Sequence, residues 1–191
     1  INKATIPPEN KQINHFYEHQ DELYISTNYG ISVYKLDNLE FGDTFYIGNF
    51  GNQIPVEQTA VYNNTIYANC GNNEGIKSIA LSNPNLIDYQ QWFSTVSGDF
   101  VFLASNEDQL IVTSNAGITF RLNDNNSLTQ LVANSEPPVD VYFSNHYFVT
   151  TSEASLKIYD TNFNLISALS LPTEYQGLLS CSIINENQIF I

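Results

Sequence analysis

"ELYISTNYGISVYKLDN", residues 22–38, is the stretch on which the fold is decided. An aromatic-aliphatic strand (Leu23, Tyr24, Ile25) runs into Ser26, Thr27 and Asn28. Gly30 then opens a second strand that closes on Tyr34, Leu36 and Asp37. The pattern returns along the chain. "NNTIYANCGNNEGIKSIAL" places Ile66 and Tyr67 before Gly75, and "EDQLIVTSNAGITFRLN" places Leu110 and Ile111 before Gly117. "NHYFVTTSEASLKIYD" places Tyr147 and Phe148 before Ser155, where serine replaces glycine, and "ENQIFI" ends the chain. Leu23, Ile66, Leu110, Tyr147 and Ile189 are spaced by 43, 44, 37 and 42 residues.

Each unit reads as four short strands. In the third unit they are residues 100–105, 109–113, 117–122 and 128–132, separated by Asn- and Asp-rich turns. Short strands rich in β-branched and aromatic residues, with no long helical periodicity, argue for an all-β repeat. Four strands in about 42 residues is the spacing of a β-propeller blade. A two-sheet sandwich is the structural rival, but it does not explain the regular return of strand, glycine and strand. Gly30, Gly75 and Gly117 are expected turn residues, because a reversal with φ > 0 or without room for a Cβ calls for glycine. Ser155 implies a different turn.

The expected fold is therefore a partial β-propeller of about four and a half four-stranded blades, drawn from a larger ring of seven. The single incomplete domain covers 1–191, with blades near 14–52, 53–97, 98–135, 136–174 and a truncated 175–191. Ile1 to Ile6 offers one outer strand at most, and the unpaired edges make the remainder of the same propeller an expected partner. Beginning at Ile1 without a single methionine, the chain reads as a processed or excised piece.

Composition narrows the function classes. Acidic residues outnumber Lys and Arg by 20 to 6, a formal charge of −14. Such a surface repels nucleic acid and anionic head groups, since phosphate binding needs clustered cations. No apolar run approaches the roughly 18 residues of a membrane-spanning helix. Cys70 and Cys181 are expected to be two buried free thiols rather than a disulfide.

Candidate chemistry is sparse. His15, Glu18 and His19 lack the H-E-x-x-H order of a zinc helix and lie in a strand–turn–strand, which favours structural or surface histidines. "DTNFNL" sets Asp160, Asn162 and Asn164 like the start of a calcium loop. Its glycine and bidentate glutamate positions hold Leu165 and Leu171, so an Asx-bonded hairpin turn is the better reading. No nucleophile elbow or phosphate loop is present, and neither a metal nor a cofactor is expected. "NLIDYQQWF" places Tyr89, Trp92 and Phe93 in or just after the second blade's outer strand. They are the candidate binding residues, as aromatics that stack on sugars or dock proteins. Packing in the seam between blades is the competing and stronger reading.

The opening motif resembles the blade repeat of two-component-regulator propellers. More particular are "FGDTFYIGNFGNQIPVEQTAVYNNTIYA", residues 41–68, and "GIKSIALSNPNLIDYQQW", residues 75–92. With their Gly-Ile strand, Asn-Pro-Asn-Leu turn and Asp-Tyr…Trp segment, they resemble the N-terminal propeller of PorZ-type proteins of the type IX secretion system. That resemblance implies an exported, non-enzymatic scaffold or binding module at the periplasm or outer-membrane surface. It would assist protein secretion and surface attachment beside the protein partners of that machinery, with glycan or lipopolysaccharide as a possible ligand. The charge of −14 gives no support to direct capture of an anionic glycan. The alternative is a periplasmic ligand-sensing propeller of a hybrid histidine kinase. A propeller-based enzyme is a distant third.

Overall fold

The computed structural model describes residues 6–134, 136–172, 182–185 and 188–190. Residues 1–5 of the Ile1 to Ile6 segment expected as an outer strand, and Cys181, lie outside them, and Ile6 itself is in a bend. The first sheet consists of β1 (Ile13–His19), β2 (Glu22–Thr27), β3 (Gly30–Lys35) and β4 (Glu40–Phe45). The second holds β5 (Val56–Tyr62), β6 (Thr65–Cys70), β7 (Gly75–Ala80) and β8 (Phe93–Val96). The third holds β9 (Phe100–Ser105), β10 (Leu110–Ser114), β11 (Ile118–Leu122) and β12 (Leu128–Ala133). The fourth holds β13 (Asp140–Phe143), β14 (Phe148–Thr151), β15 (Ser155–Tyr159) and β16 (Leu165–Ser170), and β17 (Ser182–Asn185) pairs with β18 (Gln188–Phe190). Every four-stranded sheet runs in sequence order, and the paired strands are antiparallel. Three short 3₁₀ turns, η1 (Pro8–Asn10), η2 (Asn49–Gly51) and η3 (Tyr89–Gln91), are the helical elements among the described residues. The fold is all-β, a partial β-propeller whose blades are these sheets.

Local chemistry explains the hairpins. Asn63 and Asn64 both take positive φ between paired Tyr62 and Thr65, the type I′ geometry that matches strand twist. At the next reversal Gly75 has φ +70°, and a Cβ there would drive into the Val96 carbonyl oxygen at the end of β8. Gly30 and Gly117 face the carbonyls of Phe45 and Glu136 in the same way, with φ of +134° and +78°. Gly30 and Gly75 therefore admit the end of the outer strand, and Gly117 the segment that follows it, as well as turning the chain. Ser155 sits in a different turn, as its sequence implied. Ser152 donates its N–H to the Ser155 carbonyl at 2.8 Å, and its Oγ accepts the Ser155 N–H at 3.1 Å.

The chain forms two compact units, 1–103 and 104–191. In the first, one core joins the facing sides of the first two sheets: Tyr24, Ile31, Val33 and Phe45 meet Val56, Val61, Ile66 and Ile79. Those residues share a face because side chains alternate along a strand. Polar links cross the same seam, with Asn14 Nδ2 donating to the Val56 carbonyl at 2.9 Å and the Tyr17 hydroxyl to that of Val61 at 3.2 Å. In the second unit Phe148 packs edge-on to Phe143 and lies 5.1 Å from Phe163, centroid to centroid.

Candidate binding groove

The segment between β4 and β5 leaves the first sheet and closes on itself. Gly48 donates its N–H to the Asn52 carbonyl, and Gly51 to that of Gly48. That closure puts Phe50 in the left-handed region, φ 62° and ψ 21°, with its side chain 87% exposed. A bulky residue is rarely found there, because its Cβ crowds the following carbonyl. An unburied ring on a strained backbone gains little by packing, so the arrangement displays Phe50 to solvent.

The opposite wall comes from the connection between β7 and β8. Asp88 caps η3 by accepting the Gln90 N–H at 3.0 Å, which turns Tyr89 toward η2. The Tyr89 ring lies directly over Gly51, where an added Cβ would stand 3.0 Å from it. Behind, Lys77 is only 5% exposed. Its ammonium donates to the Ile47 carbonyl at 2.7 Å and to Asn49 Oδ1 at 3.2 Å, and pairs with Glu74. Glu74 in turn accepts the Asn49 N–H at 3.2 Å. The lysine is thus fully engaged in tying η2 to the second sheet, and its charge is balanced at the site. The resulting open groove of about 400 Å³ is lined by Asn49, Phe50, Lys77, Tyr89, Gln90, Trp92 and Ser94.

The three aromatic candidates separate. Tyr89, half-buried, lines the groove from η3 rather than from the outer strand. Trp92 is buried to 6% exposure, so it is no surface platform. Its ring packs 6.0 Å from Phe45 across the blade seam, and its Nε1–H donates to the Leu86 carbonyl at 2.8 Å. Phe93 opens β8 and is 69% exposed, but it is not part of the groove lining. The η3 turn delays the outer strand to Phe93, which places Tyr89 and Trp92 before it. Asn49, Phe50, Lys77, Gln90 and Ser94 were missed. The available signals were a lone phenylalanine inside "GNFGN" and a lysine in the interior of a strand.

The other candidates carry no reactive arrangement. His15 and His19 stand on β1, four residues apart on an extended strand, about 13 Å, too far to share an ion. Among the described residues no group of three or more His, Cys, Asp or Glu is placed to hold a metal. Asp160 Oδ1 accepts the N–H groups of Asn162 and Asn164, and Oδ2 the Asn164 amide. These bonds, the Asn164 side chain first, hold its carboxyl below the usual range and occupy it locally. Burial pushes the Cys70 thiol up to about 12, and the free thiol is unreactive there. Burial, aided by a 2.7 Å bond to Glu22, raises Tyr24 above the usual phenol range.

Four-stranded blades with a groove at a blade seam define a β-propeller module. Residues 2–93 match the family described as "TSS9, PorZ, N-terminal beta-propeller domain", so the PorZ-type resemblance holds over the first half of the chain. Among solved structures, the chain is similar to PorZ from Porphyromonas gingivalis, described as an essential bacterial surface component of the type IX secretion system. Identity is 12% and TM-score 0.67, over 83% of this chain and 21% of that one. It is also similar to the N-terminal domain of Nup159 (15% identity, TM-score 0.62, 94% of this chain and 52% of that one). A third likeness is to the Pan2 WD40 domain of Neurospora crassa, at 11% identity and TM-score 0.62 over 83% of this chain and 52% of that one. At such identities these likenesses establish the fold alone. The chain spans about a fifth of PorZ and about half of the other two. No curated protein matches it.

Proposed function

We propose that the chain is a non-catalytic β-propeller binding module of an extracytoplasmic protein, assisting type IX secretion and surface attachment by docking a protein of that machinery in the η2–η3 groove. The observation that carries this reading is the PorZ match over residues 2–93, a span that contains six of the seven residues lining the groove. The absence of any membrane-crossing helix among the described residues is compatible with a surface-bound protein. The groove offers hydrophobic rings, amides and a neutralised lysine, with no activated nucleophile or paired acid and base. That composition suits recognition rather than turnover. An anionic lipopolysaccharide fits less well, because residues 1–103 carry eleven Asp and Glu against four Lys.

The test is genetic and biochemical. In a strain that secretes through the type IX route, Phe50→Ala with Tyr89→Ala is introduced into the parent protein. Cargo should accumulate in the periplasm and disappear from the surface, while the variant itself is exported at normal level. Normal cargo display by the double variant would refute the groove as the docking site. Normal display after deletion of the parent would refute the role in secretion.

A further inference from the structure

The groove's electrostatics say more about its occupant. Phe50 presents its ring to water from a strained, tightly closed turn, and Tyr89 lines the same groove. Aromatic faces carry negative quadrupole density and attract cations, arginine above all. Among the described residues lining the groove the cation is Lys77, and it is spent on Ile47, Asn49 and Glu74, so its charge is offset for an incoming cation. The unit that carries the groove is acidic overall, with eleven acidic residues against four lysines, and the chain carries −14. Such a field concentrates cationic ligands and speeds their encounter.

The geometry points to an arginine-bearing extended segment of a partner protein as the occupant of the groove, its guanidinium groups stacking on Phe50 and Tyr89. This rests on the groove being the binding surface and adds the chemistry of what binds. Gln90 and Ser94 supply amide and hydroxyl groups along the lining for the backbone of such a segment.

The chain contains a single tryptophan, Trp92, which borders the groove and reports occupancy by its emission. The full chain is titrated with an acetylated, amidated arginine tetrapeptide, its citrulline counterpart and a neutral hexasaccharide. The arginine peptide should bind at least about tenfold more tightly than either, weakening about tenfold between 50 and 300 mM salt as the field is screened. Phe50→Leu and Tyr89→Leu keep apolar bulk but lose the ring, and each should weaken binding about twofold to fivefold. Phe41→Leu, an exposed aromatic on β4 outside the groove, should leave it unchanged. Circular dichroism confirms that each variant is folded. Equal binding of the citrulline peptide or the hexasaccharide overturns the inference, as does unchanged affinity in Phe50→Leu. If secretion depends on the groove while arginine preference is absent, the docking reading stands and the cationic occupant falls. If neither is found, both fall.

Discussion

Substituting Gly75 by alanine tests how the blades are built. The residue has φ +70°, and a new Cβ would collide with the Val96 carbonyl oxygen while standing 2.9 Å from Ser97 Cα. Holding a non-glycine residue in the left-handed region costs about 1–2 kcal/mol. Forcing an extra methyl against backbone adds about 1–3 kcal/mol, because neither the paired outer strand nor the turn can yield freely. The expected loss is about 2–5 kcal/mol, a large share of the roughly 5–15 kcal/mol that holds a domain folded. Urea unfolding of the full chain, followed by Trp92 emission, reads the first unit directly, since Trp92 belongs to its core. With a slope of about 2 kcal/mol/M, the midpoint should fall by roughly 1–2.5 M. Ser155→Gly is the companion, placed where the fourth blade turns through Ser152 and the Ser155 hydroxyl lies 2.9 Å from that of Ser152. It loses one hydrogen bond and should cost about 1 kcal/mol, read by far-UV circular dichroism. A Gly75→Ala midpoint within about 0.3 M of the parent chain, or a larger effect from Ser155→Gly, would refute the steric reasoning.

Other consequences can be measured alongside. Lys77→Met strands Glu74 and the Ile47 carbonyl and should cost about 3–5 kcal/mol by urea unfolding, with part of the loss recovered on adding Glu74→Gln. In a Cys181→Ser background, Cys70 should resist iodoacetamide at pH 8 until the chain is unfolded, since its thiol is buried and protonated. Below the thiol's ordinary value near 9, native and unfolded chains both hold the proton, and from there to about 12 only the native chain does. Stability should therefore fall as pH rises through that window, more steeply than in Cys70→Ala, as denaturation at a series of pH values would show. Trp92→Phe removes the part-buried bond to the Leu86 carbonyl and should cost about 0.5–1.5 kcal/mol in thermal unfolding, the net worth of one hydrogen bond.

Strand order, hairpin positions and blade repeat were legible because their causes are local. Alternating apolar residues declare a half-buried strand, Asn- and Asp-rich clusters declare the turns, and a glycine at fixed spacing declares the tight reversal. The third blade shows how far this reaches: strands expected at 109–113 and 117–122 are observed as Leu110–Ser114 and Ile118–Leu122. The family resemblance lay in residues 41–68 and 75–92, inside the span the family comparison matches. The binding groove was not legible in the same way. Tyr89 and Trp92 are three residues apart in one aromatic run, and nothing local says that one lines a groove while the other is buried against Phe45. Lys77 meets Asn49 across 28 residues, and the Tyr89 ring meets Gly51 from the far side of the second sheet's connection. Repeat and turn chemistry act between neighbours in sequence, so the chain by itself determined its blades. Which aromatic is displayed and which lysine is neutralised depend on contacts between distant segments, and only the packing of the first two blades decided them.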